Sequence, residues 1–370
     1  VQTKNIMKVA LYATSIDHTS GGTSVYVQLL AKDLGKLVDL HVITHQVPNP
    51  LPLDNCQIHF IAKYTTPLHM MRESKSLLKA LMPDVVHINC SWLPGASLFC
   101  ICAKQQDCKI VLQAHGMLEP WDIQKNYWTR KLPALYLYLN RTIKAADIII
   151  ATSENEKHNL ERLLPTKHIG IVPNGLDASL IKIKENWKRN KQISFLALLR
   201  PNKGADILIE AVNILKIKLN EYKVLIAGHG DKKYSDRLQY LIDQYHLGNI
   251  VKLVGGVYGK AKWDLYTQSD FFVLPTLNEN FGIVIAESLA SGTPVITTKG
   301  APWPELDEWH CGWQIERNAQ TLAETIEKAI NLTERERMEM GLNGRKLIES
   351  KYSSTHIATA MKYWYESLTQ

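Results

Sequence analysis

The chain has 370 residues, more than a single hydrophobic core organises, so two domains are expected. Its 45% hydrophobic and 21% charged residues exclude a disordered or fibrous protein, and no apolar run reaches the roughly 20 residues of a membrane span. A net charge of +7 favours anionic partners without choosing among phosphates, anionic lipid and nucleic acid.

In chain order, short Val/Ile-rich runs alternate with helical patterns, which predicts parallel sheets covered by helices. The first half carries strand candidates at 7–14, 38–45, 58–62, 84–89, 109–115, 147–152 and 168–173. "SVYVQLLAKDLGKL" from Ser24 shows helical spacing of its apolar residues. The stretch "WDIQKNYWTRKLPALYLYLNRTIKAAD" mixes aromatic and basic residues, Trp121, Tyr127, Trp128, Arg130, Lys131, Arg141 and Lys144 among them. Two readings of it stand side by side. One is a domain helix with Trp128, Leu132, Leu135, Leu139 and Ile143 facing the core, and the other is a basic amphipathic segment lying on an anionic membrane.

A polar stretch, "KIKENWKRNKQ" at 182–192, reads as a linker. Strand candidates then resume at 193–199, 223–228, 250–255, 271–276 and 294–298, so the expectation is two doubly wound domains. A helix from about Ser354, with Ile357, Met361, Trp364 and Leu368 on one stripe, ends the chain. The domains are expected at 1–182 and 183–353, with the helix 354–370 returning to the first. The start lacks the basic, apolar and small-residue pattern of a leader, which makes cytoplasm the expected compartment. Six scattered cysteines, the closest pair being Cys100 and Cys102, read as reduced buried thiols.

The stretch "TLNENFGIVIAESLASGTPVITT" places Glu279 and Glu287 eight positions apart around Phe281-Gly282. In open parallel sheets ligands sit beyond the carboxyl ends of strands, where the preceding strand delivers Glu279. A helix opening at Gly282 offers amides and a positive dipole end to a phosphate. An acid repels a diphosphate but accepts well from sugar hydroxyls, so acids on both sides of a phosphate site suit a nucleotide sugar. If the whole segment were helical the acids would be about 12 Å apart. The alternative is a surface loop with one helix-start acid and one solvated acid.

This E-x7-E segment, followed by "ASGTPVI", resembles the GT-B, family 4 class of retaining glycosyltransferases. "GGTSVYVQLLAKDL", "HGML" at 115–118, "VPNGLD" at 172–177, "RPNKGADILIEA" at 200–211, "IAGHGD" at 226–231 and "LVGGV" at 253–257 extend the likeness over nearly the whole chain. The resemblance implies an α/β fold of two Rossmann-like doubly wound domains facing a cleft. It implies that Glu279 holds hydroxyls of the transferred sugar and Glu287 the ribose, with the amides of Asn280, Phe281, Gly282 and Ile283 at the diphosphate. Arg200 and Lys203 match the basic pair that neutralises the diphosphate, although only Pro201 and Asn202 separate them here, fewer than the family often has. His115 matches the active-site histidine beside the sugar, Gly21, Gly22 and Asn174 match loops facing the cleft, and Gly255 approaches the base. His229 is read as structural.

The activity so implied is transfer, with retention, of a hexose or N-acetylhexosamine from a nucleotide-diphosphate sugar, a UDP-sugar being preferred, to a glycan or lipid-linked acceptor in bacterial surface polysaccharide or lipopolysaccharide assembly. No cofactor or metal is expected, nor a nucleic-acid partner, while peripheral contact with the anionic inner membrane face is an open reading. A nucleotide-sugar 2-epimerase, or an inactive nucleotide-sugar-binding module, is the alternative. A nicotinamide dehydrogenase is disfavoured because "SIDHTSGGTS" stands where G-x-G-x-x-G would be needed.

Overall fold

The computed structural model of the chain describes residues 6–369 except Gly21, Cys90, Ser91 and Lys125, and leaves the side chains of Trp121 and Asp122 outside the description. It divides into two units, Val1–Gly175 with Ser354–Gln370, and Leu176–Ser353.

The first unit holds a parallel sheet of β1 (Lys8–Tyr12), β2 (Asp39–Thr44), β3 (Gln57–Phe60), β4 (Val85–Asn89), β5 (Lys109–Gln113), β6 (Ile148–Ala151) and β7 (Ile169–Ile171). The spatial order is β3-β2-β1-β4-β5-β6-β7, so the winding direction reverses between β1 and β4. Because successive strand residues point to opposite faces, each strand feeds two cores. Val9, Leu11, Val42 and Val111 meet the helix Gly22–Leu34 and the C-terminal helix Ser354–Thr369 on one face. Ala10, Tyr12, Ile43 and Leu112 meet Met70, Phe99 and Leu139 on the other.

The C-terminal helix is part of this unit. Ile357, Met361 and Tyr365 are buried in it, Ser354 Oγ donates to Asp33 Oδ2 at 2.5 Å, and the Tyr365 hydroxyl is hydrogen-bonded to His87 Nδ1 at 2.5 Å.

The second unit holds β8 (Gln192–Leu196), β9 (Lys223–Ala227), β10 (Val251–Gly255), β11 (Phe271–Leu274), β12 (Val295–Thr298) and β13 (Gly312–Ile315), in the order β10-β9-β8-β11-β12-β13. Its winding reverses between β8 and β11. Strand β13 is absent from the sequence reading. It is a half-buried edge strand of mixed composition, "GWQI", whose identity as a strand comes from its pairing with β12.

Two further readings differ from the structure. The boundary lies at Gly175/Leu176 rather than 182/183, and 182–192 is not a free linker but a strap on the second unit. Lys184 N donates to Ser291 O at 3.1 Å and its Nζ to Ser269 O at 2.6 Å, while Trp187 Nε1 donates to Gly292 O at 2.9 Å. Arg337, itself buried, closes the strap by donating to Trp187 O at 2.9 Å. The polar composition hides this because the anchoring is done by backbone groups and by polar side chains, Lys184, Trp187, Arg189 and Asn190, whose partners are carbonyls far along the chain.

The segment Tyr127–Ala145 is helical but not one regular helix. Two turns, Tyr127–Lys131 and Leu135–Leu139, carry i→i+5 bonds, which shift the phase of the apolar stripe. Leu139 and Ile143 are buried as expected, but Trp128 is 78% exposed, with Tyr136 and Leu137 at 82% and 62%. No helix among the described residues is long and apolar enough to cross a membrane. The five described cysteines, Cys56, Cys100, Cys102, Cys108 and Cys311, are unpaired, and Cys90 lies outside the described residues.

Candidate functional site

In the second unit β8 and β11 are neighbours, with Ile193 opposite Phe271 and Ser194 opposite Phe272, so the loops that follow them leave the sheet side by side at the reversal point. Such a point is where open α/β sheets bind ligands. The two loops are sewn together by Leu277 N donating to Asn202 O at 2.7 Å, Thr276 Oγ1 to Asn202 O at 3.1 Å and Asn202 Nδ2 to Asn278 Oδ1 at 3.3 Å. Arg317 adds donors to Pro275 O and Pro201 O at 3.1 and 3.2 Å. Gly204, with φ of +78°, lets the chain turn here, since a Cβ would lie 2.1 Å from Pro275 O.

The result is that Lys203 Nζ donates to Glu279 Oε1 at 2.5 Å, in a pair mostly shielded from solvent. The short Arg-Pro-Asn-Lys spacing is one tight turn, Pro201–Lys203, that aims Lys203 at the loop after β11 and leaves Arg200 exposed. Glu279 N is fixed by Gly300 O at 2.9 Å.

Between the two acids the chain is only partly helical. Gly282, with φ of +80°, precedes the helix Ile283–Ala290, so the 12 Å spacing of a continuous helix does not apply. Phe281 is not a ligand side chain. Its buried ring meets Trp303 at a tilt and Tyr352 edge-on, with centroids 5.1 and 5.4 Å away, and Trp303 Nε1 donates to its carbonyl, which seats the turn. Asn280, Gly282 and the exposed Ile283 lie on this same turn.

Glu287 is not a solvated acid. It is 8% exposed, with Lys262 Nζ donating to Oε1 at 2.6 Å and the Tyr266 hydroxyl to Oε2 at 3.0 Å. Burial, and then the neighbouring Glu287, raise the Tyr266 hydroxyl well above its ordinary value, so it acts as a donor. Lys262 and Tyr266 sit four apart on the helix Gly259–Gln268 and were missed in the sequence because that spacing is also what any core-facing helix shows. At the end of β10, Gly255 has φ of +72° and open space where a Cβ would stand. His229 is exposed and its Nδ1 is hydrogen-bonded to the Tyr258 hydroxyl at 2.8 Å.

In the first unit His115 follows β5 with a left-handed backbone, φ +48°. Its Nε2 donates to Asn89 Oδ1 at 2.8 Å, and its ring meets that of Tyr26 edge-on at 4.7 Å. Burial pushes the imidazole down to about 4, so it is neutral near pH 7. Asn89 was not foreseen, because its approach depends on β4 lying beside β5. Gly22 opens the helix after β1 with nothing within 4 Å of an added Cβ, while Gly21 lies outside the described residues. Asn174 sits after β7 and its Oδ1 has no hydrogen-bond partner among the described residues.

The structure thus brings Arg200, Lys203, Asn280, Gly282, Ile283 and Glu279 to two joined loops, with Glu287 in the helix these open. His115, Gly22 and Asn174 belong to the first unit. Among the described residues no group of three His, Cys, Asp or Glu side chains is placed to hold a metal ion.

Residues 178–347 match the family model described as glycosyl transferases group 1, and residues 20–180 the one described as Glycosyltransferase Family 4. The capsular polysaccharide biosynthesis glycosyltransferase CapM of Staphylococcus aureus is 27% identical over 360 residues, covering 90% of each chain. Several other curated relatives are matched over part of their length, the chain spanning about half of each. Among solved structures, sucrose-phosphate synthase from Thermosynechococcus elongatus superposes with a TM-score of 0.77 at 19% identity, covering 98% of this chain and 99% of that one. Anabaena Alr3699/HepE, in complex with UDP and glucose, superposes with a TM-score of 0.72 at 18% identity over 98% and 100%.

Proposed function

The chain belongs to the group 1 and family 4 glycosyltransferases, and from that membership we propose that it transfers a hexose or N-acetylhexosamine from a nucleotide diphosphate sugar to a glycan or lipid-linked saccharide. The observation that carries this reading is the convergence of Lys203, Glu279 and the turn at Gly282 where the second sheet reverses its winding. Surface polysaccharide or lipopolysaccharide assembly is the proposed setting, a choice supported by the similarity to CapM. A UDP-sugar is the proposed donor, in keeping with the ligands bound in Alr3699/HepE.

In this reading the second unit holds the donor. Arg200 and Lys203 take the diphosphate together with the amides before Ile283, and their charge stabilises the leaving group without a metal. Glu279, already turned towards Lys203, accepts from hydroxyls of the sugar. Glu287, held by Lys262 and Tyr266, accepts from the ribose. The bond between the anomeric carbon and the diphosphate oxygen breaks, the acceptor oxygen bonds to the same face, and its proton passes to the leaving phosphate. Because the new bond forms on the face the leaving group departs from, the stereochemistry is retained, and because the leaving phosphate takes the proton, no side-chain base is required. His115 is assigned to the transferred sugar by its match to the active-site histidine of the family. The exposed Trp128, Tyr136 and Leu137, interspersed with Arg130 and Arg141, form a peripheral contact with an anionic membrane carrying the acceptor.

Thermal shift with UDP, GDP, ADP and NAD, and then with the sugars of whichever binds, tests the reading, since a ligand of the folded state raises Tm. A shift with one nucleoside diphosphate, enlarged by one of its sugars, is expected. A shift with NAD alone, or with no nucleotide, would overturn it, and product analysis without acceptor separates transfer from 2-epimerisation.

A further inference from the structure

The turn that carries His115 is held by residues outside the proposed site. His115 and Gly116 are consecutive left-handed residues, φ +48° and +74°. A non-glycine side chain in that region is uncommon and costs some strain, which surrounding contacts must offset. Beside the Asn89 and Tyr26 contacts of the ring, the backbone of the turn is held by Glu156, in the first turn of the helix Glu154–Leu163, where Ser153 caps the helix by accepting from Glu156 N at 3.2 Å. An ordinary capping box would turn this carboxylate back onto the capping residue's own amide. Here Oε2 accepts instead from the Thr152 amide and hydroxyl, both at 2.7 Å, and Oε1 reaches across to the amide of Gly116 at 2.5 Å. Glu156 is 1% exposed, so its acceptor capacity is met by the protein and its geometry is fixed by it.

A second buried acid closes the same turn. Glu119 N donates to Gly116 O at 3.1 Å, and its carboxylate accepts from Asn159 Nδ2 at 2.7 Å, on the helix that carries Glu156. Among the described residues the charged group facing Glu119 is Glu156, Asn159 being neutral.

Resting on the assignment of His115 to the site, we propose that Glu156 is a positioning residue, fixing the His115–Gly116 turn through the Gly116 amide, with Glu119 as the acid whose charge works against that contact. Burial first, and Glu156 second, push the Glu119 carboxyl up to about 7, opposed by the Asn159 bond. Below that pH Glu119 is neutral and the turn is relaxed onto Glu156. Above it, two carboxylates on the same turn repel and load the Gly116 contact.

Spectra of the full chain labelled with ¹⁵N-glycine and ¹⁵N-histidine, taken over about pH 5 to 9, test this without a donor sugar. The Gly116 amide and His115 ring signals are expected to move together with a midpoint near 7, Glu119→Gln to flatten both curves, and Glu156→Gln to displace both signals at every pH. With donor and acceptor in hand, Glu156→Gln is expected to lower kcat on the order of a hundredfold while nucleoside diphosphate affinity, a property of the second unit, stays unchanged. A Gly116 amide indifferent to pH, the same titration in Glu119→Gln, or an unchanged kcat in Glu156→Gln overturns the proposal. If Glu156→Gln does not fold, the Glu119→Gln comparison decides. A wild type that transfers no sugar counts against the transferase reading, and the spectra still decide this one.

Discussion

Lys203 and Glu279 are 76 positions apart in the chain, yet Lys203 Nζ lies 2.5 Å from Glu279 Oε1. Each arrives on a loop leaving one of two adjacent strands, and each is an expected ligand of a different part of the same substrate. The pair positions both groups before any ligand enters, so less ordering is left for binding to supply.

Removing Glu279 should therefore abolish transfer while leaving the fold. Glu279→Ala is expected to lower kcat/KM on the order of a hundredfold or more, and to change stability by about 1–3 kcal/mol, as urea unfolding would show. A variant with wild-type rates would sink the site assignment.

Tyr266→Phe separates the ribose acid from its support. Glu287 keeps Lys262 but loses the hydroxyl donor, so nucleoside diphosphate affinity should fall by about 1 kcal/mol, roughly fivefold, with pyrophosphate binding unchanged. Calorimetric titration of both ligands reads the difference directly, and equal weakening of the two would place Glu287 away from the ribose.

Stability should depend on pH through Glu119. Its folded value, about 7, lies above its ordinary 4.5, so the folded state binds the proton more tightly. The sign is that stability falls as pH rises from about 4.5 to about 7 and stays lower above that. Glu119→Gln is expected to raise Tm at pH 8 and hardly at pH 4 in thermal scans taken at about those values. An equal gain at both would exclude this acid as the source.

Arg337→Ala should loosen the strap 182–192. It removes donors to Trp187 O and Leu332 O and a cation near Asp270, at a cost of about 2–3 kcal/mol. Proteolysis should then cut within the strap before elsewhere, and an unchanged cleavage pattern would mean that Lys184 and Trp187 suffice.

For the membrane contact, replacing Trp128, Tyr136 and Leu137 together by Ser is expected to abolish sedimentation with anionic vesicles and to leave soluble-acceptor transfer intact. Binding that persists in the triple variant would relocate the contact.

Local pattern alone located twelve of the thirteen strands among the described residues, the C-terminal helix and the two acids, because apolar periodicity and Gly-Pro punctuation are properties of neighbouring residues. The resemblance, carried by motif order, selected the site residues. What the chain order could not express is which distant residues meet. Sheet order placed Asn202 on Leu277 and Lys203 on Glu279, Asn89 on His115, and helix packing placed Lys262 and Tyr266 on Glu287. The same cause accounts for the errors. Strand β13 exists through its partner β12, the strap is held by carbonyls far along the chain, and two i→i+5 turns carry Trp128 off the core face. Secondary structure is set by residues a few positions apart, whereas a binding constellation is set by strand register and by buried polar groups that must find partners wherever the fold offers them.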